Sequence, residues 1–263
     1  MDEKLLNIKK NIVRMASYSH ASHVGSALSV VDILYTIYTK VARIDKDNIS
    51  APVRDRVILS KGHASSAMYS VLAQLGFIPK EWLDKYYVDN GMLPGHLDMT
   101  ISPAIDCSSG SLGHGASIGI GMALANPNCN VYVVMGDGEL NEGSVWEALV
   151  FCGARKLKNI TFVVDNNNLQ GFDKADEIAD YSRLSCALCN LGLDSFDICG
   201  HNLAEIENAL RKSSEKTKVV IAHTTKGHGV SYMENELKWH YKSPTEQELQ
   251  TAYEDLTNEK DLY

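Results

Sequence analysis

Positive charge is scarce in this chain: 25 Lys and Arg stand against 33 Asp and Glu in 263 residues, a formal net charge of −8. Phosphate backbones are held by clustered Lys and Arg, and the basic residues here are scattered, which counts against a nucleic-acid-binding surface. No run reaches the roughly 18 apolar residues of a membrane span. The opening MDEKLLNIKK is too charged for a signal peptide, which predicts a cytoplasmic chain with no membrane partner. Repeats, low-complexity segments and Pro/Gly/Ser-rich linkers are missing as well, so the sequence predicts one domain over residues 1–263, with a polar tail from about residue 245. Its six cysteines form no disulfide framework. Cys186 and Cys189 make a single C-x-x-C without a second pair at zinc spacing and without a leading strand, and they read as two small apolar residues on a helix.

A hydrophobic content of 44% is enough to bury a sizeable core. Apolar runs of strand length at 56–60, 131–135, 160–165, 195–199 and 219–224 alternate with helical periodicity at 63–75, 112–125, 142–156, 181–191 and 203–213. Helices of that length between strands predict a doubly wound α/β fold, a mostly parallel sheet with helices on both faces. The polar C-terminal stretch reads as a short amphipathic helix followed by a solvated tail.

The run VYVVM ends in Gly136-Asp137-Gly138, at the carboxyl end of a strand, where parallel sheets place their ligands. Glycine allows a close backbone approach and Asp137 supplies a hard oxygen donor. Alone, the triplet fits an ordinary turn or helix cap equally well. One strand later, ITFVVD runs into Asn166, Asn167 and Asn168. Asp137 and Asn167 could then share one cation, Mg²⁺ or Ca²⁺, held jointly with a diphosphate, although three asparagines also suit a polar strand-to-loop transition.

GDGELNEG followed by DNNN resembles the thiamine diphosphate fingerprint. SHASHVGSALSVVDIL (19–34), DRVILSKGHASSAMYSVLAQLGF (55–77), LPGHLDMTISPAIDCSSGSLGHGASIGIGMALA (93–125) and TTKGHGVSYMENELKWH (224–240) resemble, in order, the N-terminal motifs of the transketolase family. The likeness runs from about residue 5 to 245. It implies that Asp137, Asn167 and the carbonyl of Leu169 hold Mg²⁺, for which Ca²⁺ can substitute, against thiamine diphosphate. It also implies that Gly136, Gly138, Gly110, Ser111, Leu112, Gly113, His114 and His63 lie along that cofactor, the 110–113 loop through N–H groups at a helix N-terminus. Glu142 matches a glutamate linking paired active sites across a subunit interface, whereas Glu139 reads as an ordinary first-turn carboxylate.

The same resemblance makes His23, His96 and His240 catalytic. His23 and His240 would flank the reacting carbon, His96 would bind the donor's terminal hydroxyl, and His63 would support the diphosphate and the substrate end. Grouped imidazoles disfavour simultaneous protonation and stay mostly neutral. Three positions depart from the family pattern: Val24 for proline, His114 for glutamine, and His228 for a lysine at the substrate approach. His20, His201 and His223 have no matching role and read as structural.

Full-length transketolases continue into a pyrimidine-binding domain, which carries the glutamate that activates the cofactor, and a C-terminal domain. The resemblance covers neither. It implies an N-terminal subunit of a split transketolase, transferring a two-carbon ketol unit from a ketose to an aldose of the sugar or sugar-phosphate class. Such a subunit would work only in a heterotetramer with a C-terminal partner, meeting it through apolar, glycine-rich segments at 107–125 and 136–150. The alternatives are the α subunit of a 2-oxo acid dehydrogenase, whose substrate would not need a row of histidines, and a non-catalytic homologue.

Overall fold

The structure is a computed structural model and describes residues 2–260. The chain begins with α1 (Glu3–Ser19) and α2 (Val24–Thr36), then forms β1 (Arg56–Leu59), α3 (Ser65–Leu75), α4 (His114–Ala125), β2 (Val131–Gly136) and α5 (Gly143–Arg155). It continues with β3 (Ile160–Asn166), the single turn α6 (Ala175–Ile178), α7 (Leu184–Asn190), β4 (Asp194–Cys199), α8 (Leu203–Arg211), β5 (Lys218–His223) and α9 (Glu246–Lys260). All five strands fall within about two residues of the apolar runs that predicted them.

The strands form one sheet in the order β1-β2-β3-β5-β4, every neighbouring pair parallel. Alternate strand residues point to opposite faces, and both faces are buried. Val57, Leu59, Val134, Val163 and Val220 pack toward α1, α2, α3 and α8. Ile58, Val133, Met135, Phe162, Val164 and Ile221 pack toward α4, α5 and α7. The doubly wound arrangement is thus present, with β4 as its half-exposed edge.

Two helices precede anything the periodicity named. The side chain of Asp2 caps α1 by accepting the Lys4 amide at 3.0 Å, and Leu5, Ile8, Ile12 and Met15 line its buried face. Every residue of α2 is buried, so it has no polar face to reveal a period. Together with the π-turn Ile37–Val41, α2 makes an 18-residue helix with a mean hydropathy of 1.2, apolar enough to cross a membrane, contrary to the reading that no stretch qualifies. With 83% of that window inside the fold, it is a core helix that spends its apolarity on β-sheet and helix neighbours.

The C-terminal stretch also differs from expectation. The expected amphipathic helix is there but is not short: α9 extends through 15 residues, over most of the stretch read as a solvated tail, and buries Ala252 and Leu256 in the same apolar layer as α1. Leu249 packs against the same layer, so one apolar stripe at helical spacing docks the helix. Cys186 and Cys189 do lie on a helix, α7, with both side chains exposed.

Candidate active site

β2 and β3 are adjacent, and Gly136 pairs in register with Asp165, so their carboxyl-end loops leave the sheet side by side. Asp137 bridges them: Oδ1 accepts the Gly138 amide at 2.8 Å and Oδ2 the Asn168 amide at 2.6 Å. Asn167 accepts the Leu169 amide at 3.1 Å and donates to Ser29 Oγ at 3.2 Å. Asp137 and Asn167 are only 4% and 5% exposed. Burial pushes the Asp137 carboxyl up, and the charge of Asp165 adds to that push. A buried carboxylate raised in this way is a site that gains from a cation.

Behind it stands a fully buried ion pair that the sequence did not reveal. Lys61 Nζ donates to Asp165 Oδ2 at 2.5 Å, Ser29 Oγ donates to the same oxygen at 2.7 Å, and the Thr224 hydroxyl donates to Oδ1. A second buried cation, Lys226, donates to the carbonyls of Leu169 (2.9 Å) and Gln170 (3.1 Å) and to His240 Nδ1 (2.9 Å). Burial first, and Lys61 second, lower its pKa to about 8. Leu169 O retains a second lone pair for a metal. Lys61 and Lys226 share a signal that pattern reading passed over: each opens a Lys-Gly-His triplet, at 61–63 and at 226–228, just beyond a buried strand.

Glu139 is no exposed first-turn carboxylate. It is 1% exposed; Oε1 accepts the Gly113 amide at 2.8 Å and the Ser60 hydroxyl, and Oε2 accepts the Gly136 amide at 3.0 Å. It ties the 110–113 loop to the end of β2. The Gly113 amide is therefore committed to Glu139 rather than open to a diphosphate, which narrows the expected set of N–H donors. Gly113 itself is required: its φ is +82°, and a Cβ would meet Ser144 Oγ at 2.6 Å. At Gly136 and Gly138 the nearest protein atoms to a Cβ lie at 3.8 and 3.5 Å, so protein packing is not what calls for glycine there.

A cavity of about 450 Å³ opens over these loops. Of the residues expected at the site, His63, Leu112, Gly136, Asp137, Gly138, Glu142, Asn167, Leu169 and His240 line it, with Gln170, Phe172 and Tyr241 added by the fold. His23 and His96 join through the histidine group described next. Gly110 packs on the His96 ring, where a Cβ would sit 3.0 Å from Cδ2. Ser111 and His114 are exposed and lie outside the lining.

His23 takes the left-handed conformation, φ +70°, at the N-terminus of α2, and its amide donates to the carbonyl of His240 at 2.9 Å. Non-glycine residues held in that region store strain, and such positions cluster at functional sites. The ring of His23 lies 4.9 Å from that of His240, 5.1 Å from His63 and 6.3 Å from His96, centroid to centroid. Burial is the main reason that the pKa of His23 falls from 6.5 to about 4 and that of His240 to about 3, with nearby Lys226 and Lys61 adding to it. His63 is lowered for the same reason. These three imidazoles are neutral at pH 7 and offer both donors and acceptors to a hydroxylated ligand.

Their neutrality has a thermodynamic consequence. In the unfolded chain imidazoles take up protons near 6.5; in the folded chain His23 and His240 resist until about 4 and about 3. Between those values the unfolded state binds more protons, so the contribution is complete above 6.5 and is lost as the pH falls. The melting temperature should drop between pH 7 and pH 5, and a His23→Gln/His240→Gln variant should show a shallower drop. Equal slopes in calorimetric melts would contradict the neutral cluster.

His228 is not at the substrate approach, as its motif position suggested. It stacks on His201, centroids 3.5 Å apart, in a group with Lys9 and Asp32, and the cation near the cavity is Lys226 instead.

Residues 8–261 match the family described as "Transketolase, thiamine diphosphate binding domain". The chain is 35% identical over 268 residues to an apulose-4-phosphate transketolase subunit of Actinobacillus succinogenes, covering 98% of this chain and 96% of that one. It is 37% identical over 245 residues to "6-deoxy-6-sulfo-D-fructose transketolase subunit SqwG" of a Clostridium species, covering 90% and 89%. Among solved structures, the transketolase of Campylobacter jejuni superposes with a TM-score of 0.86 at 27% identity, over 97% of this chain but only 42% of that one. The buried carboxylate at the β2–β3 crevice, the ring of neutral histidines and a match over nearly the whole length agree: the chain belongs to the transketolase family, as its thiamine diphosphate binding domain.

Proposed function

We propose that this chain is the diphosphate-binding subunit of a two-subunit, cytoplasmic transketolase that moves a two-carbon ketol unit from a ketose to an aldose. The observation that carries this reading is the convergence of His23, His63 and His240 on the cavity that Asp137 and Asn167 floor. The donor set of one carboxylate, one amide oxygen and the Leu169 carbonyl fits a hard cation, Mg²⁺ or Ca²⁺, with room for diphosphate oxygens. Thiamine diphosphate, when bound, supplies the carbon nucleophile and electron sink that cleavage next to a carbonyl requires. The protein's share is positional and electrostatic. Asp137, Asn167 and Leu169 would hold the metal, while Lys61 offsets the charge of Asp165 behind it. His23, neutral, can accept and return the proton of a donor hydroxyl as the carbon–carbon bond breaks and re-forms, while the adjacent His240, its Nδ1 taken by Lys226, can offer its Nε2 hydrogen to the same oxygen. His96, exposed and 6.3 Å from the His23 ring, would bind the hydroxyl at the donor's end.

The relatives act on a ketose phosphate and on a sulfonated ketose, by their names. An anionic ketose fits this site only with help from the partner, because Lys61, the only Lys or Arg among the described lining residues, is already paired with Asp165. Recognition of the anionic end therefore falls to the other half of the enzyme.

His23→Ala and His240→Ala should each lower kcat about 10²–10⁴-fold, the usual worth of a positioned general acid or base. Cofactor affinity, measured by calorimetry with Mg²⁺ and the partner subunit present, should change little, because these rings are assigned to substrate. Wild-type turnover in both variants would remove the histidines from the mechanism.

A further inference from the structure

Behind the cavity, Lys9 of α1, Asp32 of α2, His201 after β4 and His228 after β5 form a group that no step above uses. Lys9 Nζ lies 3.6 Å from Asp32 Oδ1 and 3.1 Å from His228 Nδ1. Asp32 Oδ2 is 2.6 Å from His201 Nδ1, and the amide of Thr225 reaches His201 Nε2 at 2.8 Å. A main-chain N–H can only donate, so Nε2 presents its lone pair, and neutral His201 carries its proton on Nδ1 and gives it to Asp32.

This proton placement decides what the group is for. Donor atoms of Asp32, His201 and His228 lie within 4.8 Å of one another, a spacing that a metal could use. A metal on His201 Nδ1 would drive the proton to Nε2, against the Thr225 amide that already points there, and the Lys9 ammonium already lies beside Asp32 and His228. The group is a hydrogen-bonded brace, closed on one side by the stacked ring of His228.

The brace grips a particular piece of backbone. Thr225 follows Thr224, whose hydroxyl donates to Asp165 and whose amide donates to Asn166 O at 3.1 Å, and it precedes Lys226. Lys226 in turn donates to His240 Nδ1 and to the carbonyls of Leu169 and Gln170. His240 Nδ1 accepts from an ammonium, so the neutral ring carries its proton on Nε2. We propose that His201 is a positioning residue: held by Asp32, it fixes the Thr225 amide and so aims the Lys226 ammonium, which sets both the tautomer of His240 and the place of the Leu169 carbonyl. This rests on the roles given above to His240 and Leu169.

Three substitutions separate positioning from mere satisfaction of a buried carboxylate. His201→Leu removes both hydrogen bonds at similar volume. Gln at this position can still accept the Thr225 amide, whereas Asn can still donate to Asp32 but falls short of Thr225. Each variant is assayed with the partner subunit for two-carbon transfer and for calorimetric affinity toward thiamine diphosphate with Mg²⁺, and the ¹⁵N shifts of His240 are recorded by NMR. We expect His201→Leu to lower kcat about 10–100-fold, the range for an error of about 1 Å in placement, and to shift the His240 Nδ1 resonance. His201→Gln should recover to within about threefold and His201→Asn should not. Recovery by Asn but not Gln would overturn the proposal, as would a folded His201→Leu with wild-type kcat and unmoved His240 signals. Should His201→Leu fail to fold, the Gln and Asn variants decide alone. If the wild-type pair transfers no two-carbon unit, the functional reading fails, and the His240 resonances in the Gln and Asn variants still judge the brace.

Discussion

Asp137→Ala should abolish Mg²⁺-dependent binding of thiamine diphosphate and leave the chain folded. The cation would lose its only charged protein ligand, and the remaining oxygens, an amide and a carbonyl, bind a hard dication weakly. Changes one shell further out already cost metal sites about 10–100-fold, so the loss here should be at least about 100-fold. The fold survives because two effects of the substitution oppose one another. The amides of Gly138 and Asn168 lose their acceptor, at about 1–3 kcal/mol for each that stays buried and unpaired. A carboxylate whose charge is disfavoured by burial and by Asp165 is removed with them. Asp137→Asn isolates the charge, since an amide oxygen still accepts a hydrogen bond while the formal charge is gone, and it should lose most of the metal affinity too. Calorimetric titration of the subunit pair with cofactor and Mg²⁺, beside circular dichroism of each variant, checks both halves. Normal cofactor affinity in Asp137→Ala would refute the ligand assignment.

The sheet could be read from the sequence because β1, β2, β3 and β5 are buried and appear as apolar runs rich in β-branched residues, each closed by a polar or glycine residue, with β4 as the half-exposed edge. The position of Asp137 and Asn167 followed from that alone, since adjacent parallel strands deliver their carboxyl ends to one edge. What pattern could not deliver falls into two kinds. α2 is buried all round and so lacks the stripe by which amphipathic helices announce themselves, whereas α9, with Leu249, Ala252 and Leu256 on one face, was legible as an amphipathic helix. The buried charges are the other kind. Lys61 and Asp165 are 104 residues apart and Asp32 and His201 are 169 apart; each alone looks like an exposed residue, and only the fold supplies the partner that makes burial tolerable. Glu139 misleads for this reason: its sequence neighbourhood is a helix start, but its three partners arrive from the end of β1, the loop before α4 and the end of β2. The histidines were legible only through family resemblance, because no spacing rule connects residues 23, 63, 96 and 240.

Alone, the chain should be inactive, and activity should appear on mixing with a second subunit that carries the pyrimidine-binding and C-terminal domains, in an assembly of two copies of each. The chain aligns with 42% of the Campylobacter jejuni transketolase chain yet with 96% of the Actinobacillus succinogenes subunit. A cofactor held here by its diphosphate still needs a carboxylate to activate its aminopyrimidine. Among the described residues lining the cavity, the carboxylates are Asp137, Glu139 and Glu142. Asp137 is assigned to the metal, Glu139 is spent on three hydrogen bonds, and Glu142 is read as a link between paired sites. The segments proposed to meet the partner subunit expose apolar side chains. Ile118 and Leu124 of α4 and Val150 and Phe151 of α5 are 38–50% exposed, and a Cβ at Gly121 would meet nothing within 4 Å. Two helices that pack on each other and leave such side chains in water form the kind of patch that partners cover. Light scattering should give a homodimer or weak self-association for the isolated chain and a heterotetramer for the mixture, and ketol transfer should rise only in the mixture. Full activity from the 263-residue chain by itself would sink the split-enzyme reading, because the activating carboxylate would then have to lie within this chain.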